Sequence, residues 1–68
     1  MIKFKITTEY IELIGLLKAT GIALSGAEAK QMVENGMVKV KGVQENRKRA
    51  KLRSGDKVEV GAEIILVE

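Results

Sequence analysis

Residues 25–53, SGAEAKQMVENGMVKVKGVQENRKRAKLR, join a short amphipathic helix to a strand pair that carries most of the chain's positive charge. Ser25 is the predicted N-cap, because its hydroxyl can accept from a free N–H of the first turn, and Glu28 three residues later completes an S-x-x-E capping box. Ala29, Met32 and Val33 supply the inner face, so the helix is expected from about Gly26 to Glu34. Asn35-Gly36 ends it, since both residue types tolerate positive φ, and the chain enters a strand at Met37. There the period changes to two. Val38 and Val40 alternate with Lys39 and Lys41, which turns both lysines to solvent if the valines face the core. Lys41-Gly42 reads as a turn. From Arg47 the same parity sends Ala50 and Leu52 inward and Arg47, Arg49, Lys51 and Arg53 outward, one charge about every 6.6 Å of extended chain.

Between Lys39 and Arg53 seven basic residues face one acid, Glu45, a local balance of +6 in a chain whose net charge is +3. The remainder therefore sums to −3. Charge segregated in this way attracts polyanions, whereas the same lysines scattered evenly would mainly aid solubility. Nucleic acid is the first partner implied. Phe4 and Tyr10 are the only aromatic residues. The chain thus lacks the stacking platform of proteins that read unpaired bases, and contacts to the shape and phosphates of a folded nucleic acid are expected instead, with composition alone leaving RNA and DNA open.

Upstream, Ile2, Phe4 and Ile6 alternate with Lys3, Lys5 and Thr7, the pattern of a half-buried strand over residues 2–7. Thr8 is the expected cap of a first helix, with Glu9 in its first turn. Tyr10, Leu13, Ile14 and Leu17 follow at helical spacing, widened by Ile11 and Leu16, and the helix is expected to reach about Ala19. Gly21 is its left-handed C-terminal residue, and Ile22 and Leu24 are expected to pack back onto the core. Downstream, Ser54-Gly55-Asp56 is a turn, Val58 and Val60 mark a strand, Gly61-Ala62 a break, and residues 64–67 a short closing strand. The pattern as a whole predicts one α+β domain over residues 1–68, two adjacent helices packed on a small, largely antiparallel sheet.

At 68 residues such a chain buries only about 60% of its unfolded surface. It holds no Cys and no His, which removes disulfides, thiol nucleophiles, imidazole bases and the usual zinc frameworks. Ser25 has no base to activate it, no phosphate-cradling glycine loop occurs, and no carboxylate cluster is placed to hold a metal. No catalytic residue, cofactor, metal or small-molecule substrate is expected. The first ten residues lack the apolar core of a signal peptide, and no apolar run approaches a membrane span. A cytoplasmic protein without a membrane partner is the simple expectation.

Laid out in this order, the chain resembles the small RNA-binding domain first recognised in ribosomal small-subunit protein S-four, in the form of the stand-alone YaaA/YbcJ-like bacterial proteins. The matching pieces are Tyr10-Ile11, Leu13, Leu16-Leu17-Lys18, Gly21-Ile22, Ser25-Gly26, Glu28-Ala29-Lys30, Glu34-Asn35-Gly36, Val38-Lys39-Val40, Gly42, Arg47-Lys48, Lys51-Leu52-Arg53 and Gly55-Asp56. They run through most of the chain, from about Lys3 to Val60. The resemblance implies that the two helices and the following strand and loop present a basic surface to structured RNA, often ribosomal or transfer RNA, on a ribosome or a ribosomal precursor. Three departures from the family pattern stand out. Lys41 takes the place of a usual Asn, Ser54 of a usual Pro, and Glu12 and Ile14 of a basic or polar residue and an acidic one.

The candidate RNA-contacting residues are therefore Ser25, Gly26, Lys30, Lys39, Lys41, Arg47, Lys48, Arg49, Lys51 and Arg53. Ser25 is a cap first and a contact second, at a helix N-terminus whose free N–H groups can meet a phosphate. Lys30 is either a partner for Glu34 one turn on or an RNA contact in the position the family pattern gives it. Asp56 belongs to turn chemistry, and Gly36 and Gly42 to backbone requirements. The competing reading is an interaction or ribosome-assembly adaptor that turns the same basic face to an acidic protein.

Overall fold

The expected cap of the second helix forms as read. In the computed structural model, which describes residues 1–68, α2 spans Gly26–Glu34, and the Glu28 backbone N–H donates to Ser25 Oγ at 3.1 Å. Glu28 reaches back one residue further than a standard capping box, accepting from the Leu24 N–H at 3.3 Å. Gly36, at φ 72°, takes the left-handed turn out of the helix, while Asn35 stays at φ −83°. The left-handed position is thus borne by the glycine alone.

The first helix, α1, covers Leu13–Ala19 and begins later than its pattern suggests. Thr8 is not its cap, since its hydroxyl donates to the Tyr10 carbonyl. Ile11–Glu12 instead form β2, paired antiparallel with β5, Lys51–Leu52. The free N–H groups that open α1 then find partners far away in sequence. Leu13 donates to the Ala50 carbonyl at 2.9 Å and Ile14 to the Lys48 carbonyl at 3.3 Å. A helix end must satisfy those donors somehow, and here residues 48–50 take the first two. The helix closes at Thr20 and Gly21, the latter at φ 79°. Ile22 packs against the core, but Leu24 is 86% exposed and does not.

Five strands form the main sheet in the order β1-β7-β6-β3-β4, with β1 Ile2–Phe4, β3 Val38–Val40, β4 Val43–Gln44, β6 Lys57–Val60 and β7 Glu63–Val67. All neighbours are antiparallel except β1 and β7, which run parallel with Ile2 opposite Ile65 and Phe4 opposite Val67. Strand β1 is shorter than residues 2–7, although the Ile6 N–H still donates to the Glu68 carbonyl. Lys41 and Gly42 link β3 to β4 with φ of 55° and 80°. Positive φ at both positions is the hairpin turn whose twist matches the strands, and it favours Asn-Gly over Lys-Gly.

One face of the sheet carries Val38, Val58, Val60, Ile65 and Val67 into a core completed by Leu13, Leu16 and Leu17 of α1, Ala29 and Val33 of α2, and Ala23, Ala50 and Leu52. Every buried residue is apolar. The stretch from Arg47 is not a continuous strand. Residues 47–50 form a turn closed by the Ala50 N–H on the Arg47 carbonyl at 3.3 Å, and only Lys51–Leu52 are extended. Ala50 and Leu52 are nevertheless both buried, as parity required.

Candidate nucleic-acid interface

Because residues 48–50 close the start of α1, the basic segment is held against the helices rather than projecting as a free hairpin. Arg47, Arg49, Lys51 and Arg53 line one open concavity with Ala50 and no acid among them. Lys41 joins this surface through an adjoining depression shared with Arg47 and Lys51. On the other flank a third depression brings Arg49 beside Lys18 of α1 and Lys30 of α2, with Glu12, Ile14 and Gly15. Cations from four parts of the chain thus follow one another over the surface in the order Lys41, Arg47 and Lys51, Arg53 and Arg49, then Lys18 and Lys30.

The individual side chains differ in how free they are. Arg47 is clamped by Glu45, with Nε at 3.1 Å from Oε2 and Nη2 at 3.2 Å from Oε1, while the Arg47 backbone N–H also donates to Oε2 at 3.0 Å. These bonds hold the Glu45 carboxyl below its ordinary pKa and raise that of the guanidinium. Arg49 spends only Nε, at 3.1 Å from Glu12 Oε2, and its side chain is 81% exposed. Both of its terminal NH₂ groups remain available to a phosphate. Lys41 pairs with Asp56 at 3.3 Å. Lys51, Arg53, Lys18 and Lys30 make no ion pair.

Lys48 is different. Its ammonium lies 2.6 Å from Glu34 Oε2 on α2, its side chain is only 40% exposed, and this hydrogen bond is the main reason the Glu34 carboxyl titrates below its ordinary value. It ties the basic turn to the helix. Lys39 also stands apart: it opposes Glu59 on the outer face of the sheet, the side away from the helices. Ser25 Oγ is occupied by its capping bond, and Gly26 lies beside the Lys18 stem, which a Cβ there would meet at 4.0 Å. The structure therefore groups Lys30, Lys41, Arg47, Arg49, Lys51 and Arg53, puts Ser25 and Gly26 at one margin, and separates Lys48 and Lys39.

Two residues at this surface are absent from the candidate set. Lys18 was visible as an exposed cation in the last turn of α1, but only the packing of α1 on α2 places it near Lys30. Tyr10 was read as a helix residue. It lies before β2, with Lys51 Nζ 4.8 Å and Arg53 Cζ 5.8 Å from its ring centroid.

The family model described as the S4 domain matches residues 4–68. YbcJ of Escherichia coli (strain K12) and YbcJ of Shigella flexneri are each 47% identical over 49 residues, 72% of this chain and 70% of each relative. A solution structure of YbcJ from E. coli, described as revealing an ALFAL motif involved in RNA-binding, superposes with a TM-score of 0.76 at 38% identity, covering 98% of this chain and 86% of that one.

Proposed function

We propose that the chain, which belongs to the S4 domain family, is a non-catalytic RNA-binding protein that holds the phosphates of folded RNA on the surface running from Lys41 to Lys30. Its relative YbcJ is tied to RNA binding by the motif described for it. One observation carries the reading for this chain, the convergence of Arg47, Arg49, Lys51 and Arg53 on a single acid-free concavity. Arginine's planar fork suits bidentate phosphate recognition, so three such groups in one depression favour a phosphate backbone over an isolated anion. Ser25, Gly26 and Lys30 extend the contact along α2, Lys48 supports the turn through Glu34, and Lys39 serves RNA only if it wraps the sheet. Ribosomal or transfer RNA, free or in a ribosomal precursor, is the class we expect, in the cytoplasm. No helix is long and apolar enough to cross a membrane.

The test is a salt titration of binding to a folded RNA. If about five phosphates are neutralised, counterion release predicts a log–log slope of roughly −3.5 to −4.5. A flat slope at measurable affinity would sink the electrostatic reading. An acidic protein partner on the same face is separated by pull-down before and after RNase treatment, since an association bridged by RNA disappears and a direct one persists.

A further inference from the structure

We propose that Tyr10 and the hollow beside it form a site for one unpaired nucleobase. The inference rests on the RNA-binding reading and adds to a phosphate surface a place where a base is held. Tyr10 is the chain's one tyrosine and is 37% exposed. Lys51 and Arg53, which stand over its ring, also line the basic concavity. The same tyrosine lines an open hollow with Thr8, Glu9, Ile11, Glu12 and Gly15. It therefore borders both surfaces.

Gly15 keeps the hollow open. It lies within the seven-residue α1, where glycine is the poorest helix former after proline. Packing does not demand it: its φ is not positive, and a Cβ there would meet only Ile11 Cγ1 at 3.6 Å, an ordinary contact. A longer side chain would project into the space that Gly15 lines. Charge decides what can enter. Glu9 and Glu12 disfavour a phosphate in the hollow, whereas a neutral base meets no such penalty and its amino groups can donate to a carboxylate. The phosphates flanking that base fall to Lys51 and Arg53. An exposed cation–π contact is weaker than a base stacked on an aromatic ring, so RNA draws the two cations to its backbone while a base takes the ring.

The experiment compares two RNA hairpins with the same stem, one fully paired and one with a single extrahelical purine, binding to the full chain. Labelled-RNA anisotropy gives affinity, and because the chain has one Tyr and no Trp, its intrinsic fluorescence reports on Tyr10 alone. The bulged RNA should quench that fluorescence more and bind about 5- to 150-fold tighter, the range for one base–aromatic stack. The preference should survive in Tyr10→Phe and vanish in Tyr10→Leu and in Gly15→Leu, which leaves the tyrosine in place and puts a side chain in the hollow. The readout is the ratio of the two affinities within each variant, so a loss shared by both hairpins does not count as loss of the preference, with circular dichroism confirming the fold. Equal binding of the two RNAs by the wild type, or a preference kept by both leucine variants, overturns the base site. If Arg49→Ala and Lys51→Ala still weaken binding in that case, the phosphate surface stands without it; if neither RNA binds at all, both readings fall.

Discussion

Replacing Glu12 by Gln should tighten RNA binding, although Glu12 makes a hydrogen-bonded ion pair with a residue assigned to the interface. The carboxylate sits 3.1 Å from Arg49 Nε. A phosphate bonded at about 3 Å from the outer edge of the guanidinium would lie roughly 7 Å from Glu12. Two like charges at that separation repel by about 0.6 kcal/mol in bulk water and about 2.4 kcal/mol at an effective dielectric of 20. Against this stands the loss of whatever the pair contributes to orienting Arg49, and exposed pairs of this kind are worth about 0–1 kcal/mol. With Arg49 81% exposed, the orienting term belongs at the low end, so repulsion wins. The expected gain is about threefold near 0.15 M salt, larger at lower salt and fading once screening shortens to about 3 Å at 1 M. Anisotropy titrations of Glu12→Gln and wild type across that series measure it. Weaker binding by the variant at every salt concentration would show that Glu12 acts by holding Arg49 in place, and the reasoning would fail.

Among single alanine variants, Arg47→Ala, Arg49→Ala and Lys51→Ala should each reduce RNA affinity more than Lys48→Ala and flatten the salt slope by about 0.7–0.9; Lys48→Ala proving the most damaging would refute the face assignment. Ser25→Ala should cost about 1 kcal/mol and lower the melting temperature by about 4–8 °C, with Ser25→Asp close to wild type; an unchanged urea midpoint for alanine would mean the cap contributes nothing. Glu34 and Glu45 have pKa values depressed in the folded protein, so their stabilising pairs are complete above the ordinary carboxylate value of 4.5 and are lost as pH falls below it. Thermal melts between pH 7 and pH 3 should therefore decline less in a Glu34→Gln, Glu45→Gln double variant than in wild type.

Local signals in the sequence located what local chemistry controls. The Ser25 cap, the span of α2, the left-handed Gly21 and Gly36, the Lys41-Gly42 turn and the inward pair Ala50 and Leu52 all depend on residues a few positions apart, and all appear as read. What the sequence hid is non-local. Tyr10, Leu13, Ile14 and Leu17 have helical spacing, yet Ile11 and Glu12 are claimed by Leu52 and Lys51, so Thr8 caps nothing and α1 loses its first turn. The face of Lys39 follows from parity, but which side of the molecule that face occupies depends on where the helices pack. Lys48 lies in a turn rather than a strand, so its link to Glu34 could not be read from alternation. The same holds for Lys18, an ordinary helix cation until α2 brings Lys30 beside it.

The parallel pairing of β1 with β7 has a kinetic consequence. Two-residue turns make β3–β4 and β6–β7 into hairpins whose strands meet early. Strand β1 has no such neighbour: Ile2 must find Ile65 across nearly the whole chain, a closure that costs roughly 3.7 kcal/mol in the logarithmic term alone. The first strand of the sequence should thus be among the last to dock, after the helices and hairpins have formed the surface that receives it. Phe4→Ala should accordingly speed unfolding and leave the refolding rate nearly unchanged, the behaviour of a residue whose contacts form after the transition state. During synthesis β1 waits, edge exposed and unpaired, until the strand it needs has emerged.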